Sequence, residues 1–401
     1  MLLISKVKRM SKATKRLIFI IVYLAYTSIY IARVNLSMAG PGLEELSIIN
    51  TVQLGLLGSV FSCVFASGRL INGSIGDKTP PWIMLTIGLS AAGIGNLIIG
   101  FLPPFAAIFA LWAINAYAQS MLWSSVLCIV SSMYTKEDAK KKTSLMVTSV
   151  AMGNIAGILI NTWLITKLGI RFAFIIPGFF TLILAGLVCL LTRNIKQEKT
   201  SKEHISIIKL IKEKEIRLMC LPAVMHGVMK ENVSLWMTVY VVDKFSTDLS
   251  TSSYYILFIP IIGFVGRIIY PSVLKLCKDN ENTVSVLGFT ISTVCSVLIC
   301  FSGIGLAMSV LCLSVIYAAV SMINTSILSI YPLRSADTGN VASVSGVMDF
   351  ATYLGAGIAS MIYGIVIDEL GYSPMFISWA IVSIISIAVI MLINSNRKRL
   401  R

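Results

Sequence analysis

Apolar runs long enough to cross a hydrocarbon core, about 20 residues each, recur along this chain at 17–39, 50–76, 82–102, 104–133, 142–166, 172–192, 217–242, 250–276, 283–303, 305–332, 340–367 and 372–394. No other feature restricts the fold so far. A backbone in lipid must satisfy its own hydrogen bonds, and only helices and closed barrels do so. A barrel needs alternating strands of about ten residues, a pattern these runs lack. The expectation is therefore an all-α membrane protein of twelve transmembrane helices. Composition agrees, since the 401 residues are 56% hydrophobic and only 13% charged, outside the usual balance of soluble chains. The first run is not read as a cleaved signal peptide, being too long, carrying Arg33 and lacking a small-residue cleavage site.

The net charge of +15 is concentrated in alternate connecting segments. Lysine and arginine crowd the start of the chain (Lys6, Lys8, Arg9, Lys12, Lys15, Arg16), the TKEDAKKKT stretch 135–143, the segment 193–217 and the terminal NRKRLR. By the positive-inside rule these face the cytoplasm. GPGLEEL (40–46) and FSTDLSTSS (245–253), poor in positive charge, then face outward. This predicts a multi-pass protein of a plasma (inner) membrane with both termini cytoplasmic, in contact with membrane lipid and not with nucleic acid. The eight cysteines are scattered without CxxC spacing and read as small packing residues. His204 and His226 are the only histidines, which argues against a histidine metal site. No nucleophile–base constellation is evident, so neither an enzyme nor a cofactor is expected.

One long polar insert, TRNIKQEKTSKEHISIIKLIKEKEIR, divides the chain into a six-helix bundle over 1–192, a cytoplasmic linker over 193–216 and a second six-helix bundle over 217–401. Ile205, Ile208 and Ile211 share one side of the linker and suggest a short surface helix. The halves carry matched fragments about 200 residues apart: GRLINGS (68–74) with GRIIYPS (266–272), and LGIRFAF (168–174) with LGYSPMF (370–376). Such register points to a parallel internal repeat with pseudo-symmetric halves.

Arg33 stands inside the first run, where an arginine costs about 2.5–3.5 kcal/mol at a helix centre in lipid. Shifted by the repeat interval it lands beside Lys230, so each half carries one cation more than halfway into its helix. Snorkelling to the headgroups would be a bland explanation. Against it, Tyr26, Tyr30, Arg33 and Ser37 recur at helical spacing, as do His226, Lys230 and Ser234. Asn115, Gln119 and Trp123 form a further stripe, and Ser345, Asp349 and Tyr353 another. Asn115 and Gln119 have an alternative role in interhelical hydrogen bonds. Asp349 is expected to pair with a cation or relay protons, with Lys230 as candidate partner. Glu231, about 100° round the helix from Lys230, is expected to pair elsewhere or to be neutralised by protonation.

These residues resemble a known family. GSIGDKTPP (73–81) is similar to the loop signature of major facilitator transporters, and YTSIYIARVN (26–35) resembles the tyrosine, tyrosine, arginine, asparagine pattern of the organophosphate:phosphate antiporters. NAYAQSMLW (115–123) and DFATYLGAG (349–357) resemble that family's patterns in the fourth and eleventh helices, and the likeness runs over nearly the whole chain. It implies the major facilitator fold and transport of sugar phosphates or glycerol 3-phosphate. It further implies that Arg33 binds the phosphate, that Tyr26 and Tyr30 line a cavity, that Arg69 stands in place of a lysine, and that Lys230 replaces a second arginine. Gly227 and Gly153 depart from the family, which has a tyrosine and a histidine there. Lysine is a point charge and lacks the planar fork of arginine. RVNLSMAG (33–40) also resembles the anion:proton symporters for sugar acids, although Ala32 stands where those have an acidic residue.

The reading is an alternating-access secondary transporter of a small organic anion, able to work as a monomer. Arg33 and Lys230 take the anionic group, Tyr26, Tyr30, Asn115, Gln119 and Tyr353 hydrogen-bond the remainder, and Trp123 forms an apolar wall. Asp77 and Lys78 belong to a cytoplasmic gate. The alternatives are a proton-coupled carboxylate symporter using Asp349 or Glu231, and a non-transporting membrane sensor on the same fold.

Overall fold

The computed structural model describes residues 10–76, 79–193, 195, 212–301, 303–335 and 341–400. Asp77, Lys78 and nearly all of the linker, with Ile205, Ile208 and Ile211, lie outside the described residues. Within them the chain is helical: α1 Lys12–Glu45, α2 Thr51–Gly76, α3 Pro81–Ile99, α4 Phe105–Ser120, α5 Leu122–Met133, α6 Lys136–Leu168, α7 Phe172–Thr192, α8 Lys214–Phe245, α9 Leu249–Ile256, α10 Phe258–Leu276, α11 Glu281–Ile299, α12 Leu306–Thr325, α13 Val341–Leu370 and α14 Ser373–Leu400. α4 with α5, and α9 with α10, make single spans of 29 and 28 residues. Among the described residues eleven spans are long and apolar enough to cross a membrane. α8 is also long enough, at 32 residues, but His226, Lys230, Glu231 and Asn232 lower its apolarity.

Local chemistry sets the ends. Ser11 caps α1 by accepting the Thr14 N–H at 3.0 Å, Thr135 caps α6, and Asp248 caps α9 by accepting the Thr251 N–H at 2.9 Å. Each side-chain oxygen satisfies an N–H that has no partner in the first turn. The Thr251 hydroxyl and N–H hold the Asp248 carboxyl below its ordinary value. Pro81 opens α3 where its missing N–H costs nothing. α12 runs on through a π-helical turn over Ser326–Ile330 and a 3-10 turn over Tyr331–Ser335.

The chain divides into two compact units, Met1–Ile48 with Ser67–Lys202 and Ile49–Ala66 with Glu203–Arg401. In the first, α1 packs on α6 and α7, and α3 on α4 and α7. Its core joins Ile18, Val22, Leu85, Leu89, Val126, Ile129, Met146 and Val188. In the second, α8 packs on α13 and α14, and α11 on α12 and α14. The pairings correspond helix for helix, and the contacts repeat too. A Cβ on Gly88 would meet the Ala118 carbonyl at 2.7 Å, and one on Gly288 the Ala319 carbonyl at 3.2 Å. Gly169 and Gly371, aligned in the sequence repeat, both take positive φ, 102° and 74°, as they stop α6 and α13. Outward-facing positions such as Ile94, Phe179, Leu190, Ile381 and Leu392 are exposed and apolar, as a lipid-facing surface requires.

Candidate functional site

In the first unit, α1 is buried from Ala25 to Gly40 except at Tyr30 and Arg33. These two half-buried positions lie one turn apart on a single face of α1, whereas Tyr26 and Ser37 of the same stripe are buried. Tyr26 is buried, with its ring centroid 5.5 Å from that of Tyr30 and 5.2 Å from that of Trp123. Ser37 is buried further along α1. The turn bearing Arg33 is tied down from behind. Asn35 donates to Asn96 Oδ1 at 2.8 Å and to the Ala173 carbonyl at 3.1 Å, while Asn161 donates to the Ile31 carbonyl at 3.0 Å. These buried bonds fix the rotation of α1 and hence the face that Arg33 occupies.

Asn115 and Gln119 are both buried in α4, and Gln119 Nε2 donates to Asn115 Oδ1 at 3.1 Å. Asn115 Nδ2 is buried and makes no hydrogen bond. Arg69 is half-buried in the part of α2 that belongs to this unit.

In the second unit, Lys230 Nζ lies 3.1 Å from Glu231 Oε1, with side chains 18% and 14% exposed. It also stands 5.3 Å over the ring of Tyr353. The expectation that Glu231 pairs elsewhere gives way here. Adjacent Cβ atoms diverge on a helix, but both stems are long enough for the charged ends to converge. Asp349, on α13, adds a Coulombic attraction to Lys230. His226, one turn before Lys230, is wholly buried, with the backbone of Val320 in reach of its ring. Ser234 is half-buried, and Ser345 donates to the Leu328 carbonyl at 3.0 Å in the π-helical turn.

Two aromatic residues join this cluster without having been singled out from the sequence. The ring of Phe65 lies 4.6 Å from that of Tyr353, and Tyr317 acts on Lys230 electrostatically. Tyr317 had a signal: YAAVSM (317–322) repeats YAQSM (117–121) about 200 residues on. The two departures from the antiporter pattern have a packing cause. A Cβ on Gly153 would sit 2.5 Å from Tyr30 Cβ and 2.7 Å from the Thr27 carbonyl, and one on Gly227 would collide with the Thr352 carbonyl. Both are closest-approach points, of α6 with α1 and of α8 with α13, and neither has room for a side chain.

Residues 22–360 match the pattern of the Major Facilitator Superfamily. The chain belongs to that superfamily. As a member it is a multi-pass membrane protein of transporter type. It is 24% identical over 438 aligned positions to the glycerol-3-phosphate transporter of Bacillus subtilis, covering 98% of this chain and 95% of the relative. It is 21% identical over 280 positions to the membrane sensor protein UhpC of Salmonella typhimurium, covering 64% of this chain but only 63% of the sensor's length. The fold matches that of a bacterial homologue of the lysosomal transporter Spinster in an inward-facing, occupied conformation, with a TM-score of 0.79 at 13% identity over 96% of this chain and 98% of the other. All eight cysteines are free thiols.

Proposed function

We propose that this member of the superfamily is an alternating-access transporter of a small organic anion, a phosphorylated sugar or glycerol derivative exchanged for phosphate. It works in the plasma membrane with both termini cytoplasmic. The observation that carries this reading is Arg33, one of two open positions on an otherwise buried stretch of α1. Its planar fork suits two oxygens of a phosphate or carboxylate, and Tyr26, Tyr30 and Trp123 supply hydroxyl groups and an apolar wall. Lys230 is the second cation, with Tyr353 beside it, and Asn115, Gln119 and Arg69 complete the polar contacts. Asp77 and Lys78 are assigned to a cytoplasmic gate. The near full-length similarity to a glycerol-3-phosphate transporter supports the substrate class.

A second reading has its own observation. The 3.1 Å pair of Lys230 with Glu231 gives the second unit a carboxylate that an incoming anion must displace, and a displaced carboxylate can take up a proton. That favours proton-coupled symport of a sugar acid or another carboxylate, through Glu231 or Asp349. Similarity to a sensor keeps non-transporting recognition open to the same experiment.

The test is a thermal-shift screen of the purified protein against glycerol 3-phosphate, hexose 6-phosphates, a sugar acid and inorganic phosphate, followed by flux of whichever binds. A ligand that binds only the folded state at about 100 times its Kd adds about 2.7 kcal/mol of stability. Stabilisation by an organophosphate with flux supports the proposal. Response to the sugar acid alone replaces it with the second reading, and binding without flux identifies a sensor.

A further inference from the structure

Two lysines of the first unit meet at one aromatic ring. Lys15, in the first turn of α1, has its Nζ 6.0 Å from the centroid of Tyr134. Lys142, in the second turn of α6, has its Nζ 5.8 Å from the same centroid and 4.7 Å from that of Phe19. The Tyr134 hydroxyl donates to the Lys15 carbonyl at 3.1 Å and so holds its ring against α1. Lys12, Arg16 and Lys141 are exposed, whereas Lys15 and Lys142 are half-buried. Topology asks only for basic residues on this side of the membrane, not that two of them be drawn inward to one ring.

The face of α1 that carries Lys15 shows where they are drawn. Eighteen residues make about five whole turns, so Lys15 and Arg33 stand in line, about 27 Å apart along the helix axis. Phe19, Tyr26 and Tyr30 lie on or beside that line. The exposed Leu17, Ile20 and Leu24 are on the opposite face of α1. One face of α5 follows the same row, because Trp123 and Tyr134 are about three turns apart: Trp123 meets Tyr26 at 5.2 Å between ring centroids, and Tyr134 meets Phe19 at 6.4 Å. Between the lysines and Tyr30, the hydroxyls of Tyr23 and Thr148 are hydrogen-bonded at 2.9 Å. The row begins at two cations and ends at Arg33.

The span of that row decides what the lysines add. At physiological ionic strength the Debye length is about 8 Å, so an anion at the mouth, about 27 Å from Arg33, is not drawn by it. Two ammonium groups within 6.0 Å of one ring centroid act on such an anion together. The rings hold them in place without neutralising them, and no described carboxylate pairs with either.

We propose that Lys15 and Lys142 form a docking site for the phosphate or carboxylate group of the transported anion at the cytoplasmic mouth of the first unit, from which the anion passes along α1 to Arg33. This rests on the reading of the chain as an anion transporter with cytoplasmic termini. The docking site governs how readily cargo is captured from that side, and it leaves the affinity at Arg33 to the residues around Arg33.

The experiment exchanges labelled glycerol 3-phosphate against inorganic phosphate, with the full chain in right-side-out and in inside-out membrane vesicles. Steering by a charged cleft raises encounter rates by roughly 10- to 1000-fold. In the Lys15→Gln/Lys142→Gln protein the KM at the cytoplasmic face should therefore rise about ten-fold, with the maximal rate and the KM at the outer face unchanged. That difference should shrink as salt shortens the Debye length from about 30 Å at 0.01 M to about 8 Å at 0.15 M, a response that damaged packing does not produce. Lys15→Arg/Lys142→Arg should keep the wild-type KM. If the glutamine protein does not reach the membrane, the wild type decides: its KM should climb with salt more steeply at the cytoplasmic face than at the outer one. A cytoplasmic-face KM unchanged in the glutamine protein, a rise equal at both faces, or a wild-type salt response without sidedness overturns the docking site and leaves the transporter reading intact. Wild-type vesicles that exchange neither compound refute the transporter reading, and the docking site falls with it.

Discussion

At the scale of single residues, the sequence exposes Arg33 because nothing else in the first span is charged, and its stripe with Tyr26 and Tyr30 follows from helical spacing alone. The Glu231 contact is not legible in that way. Spacing places Cβ atoms, whereas the contact depends on how two long stems bend, and the 3.1 Å approach to Lys230 is a rotamer outcome. Arg33→Lys keeps the charge and removes the fork, so it tests what the arginine is for. A hydrogen bond to a charged group contributes about 1.5–3 kcal/mol; losing one should weaken ligand binding roughly ten- to hundred-fold, with unfolding unchanged. Titration of the variant by isothermal calorimetry checks it. Wild-type affinity there would make Arg33 a structural residue.

Among the elements, every long apolar run became helix, with ends close to those read from the sequence, because lipid leaves the backbone no alternative. The breaks at Met121 and Leu257 and the π-helical turn after Thr325 were not legible. Yet prolines stand close by: Pro260 lacks the N–H that would bond the Ile256 carbonyl, and Pro332 lacks the one that would bond Leu328 inside the π-helical turn, so only the break at Met121 has no proline to signal it. The glycines behave differently. Gly153 and Gly227 look like lost binding residues when set against the family pattern, yet each fills a helix crossing where a neighbouring carbonyl excludes any side chain. Gly153→Ala and Gly227→Ala should each destabilise the protein, by about 1–3 kcal/mol for an overpacked contact, Gly227→Ala more than Gly153→Ala. Denaturation in detergent with a lipid-matched control measures this. A neutral Gly227→Ala would mean that α8 and α13 separate freely.

For the whole molecule, the repeat of about 200 residues was visible in short fragments, and the structure extends it to matching helix pairs and matching turn glycines. Coupling is the property that belongs at this scale. Under the exchange reading, proteoliposomes loaded with phosphate should take up labelled organophosphate without a pH gradient, and unloaded vesicles should not. Uptake into phosphate-free vesicles that follows an inward proton gradient and vanishes in Glu231→Gln would replace exchange with symport. The same Lys230–Glu231 pair has an electrical consequence. A bare cation moved through the membrane field is worked on at about 2.3 kcal/mol per 100 mV, but a closed pair of opposite charges is moved at nearly no cost. While the pair is closed, the membrane voltage has little purchase on the second unit. Any current accompanying a turnover then reports Arg33, Asp349 and the charge of the cargo, and it should change on Glu231→Gln even where the cargo and its affinity do not.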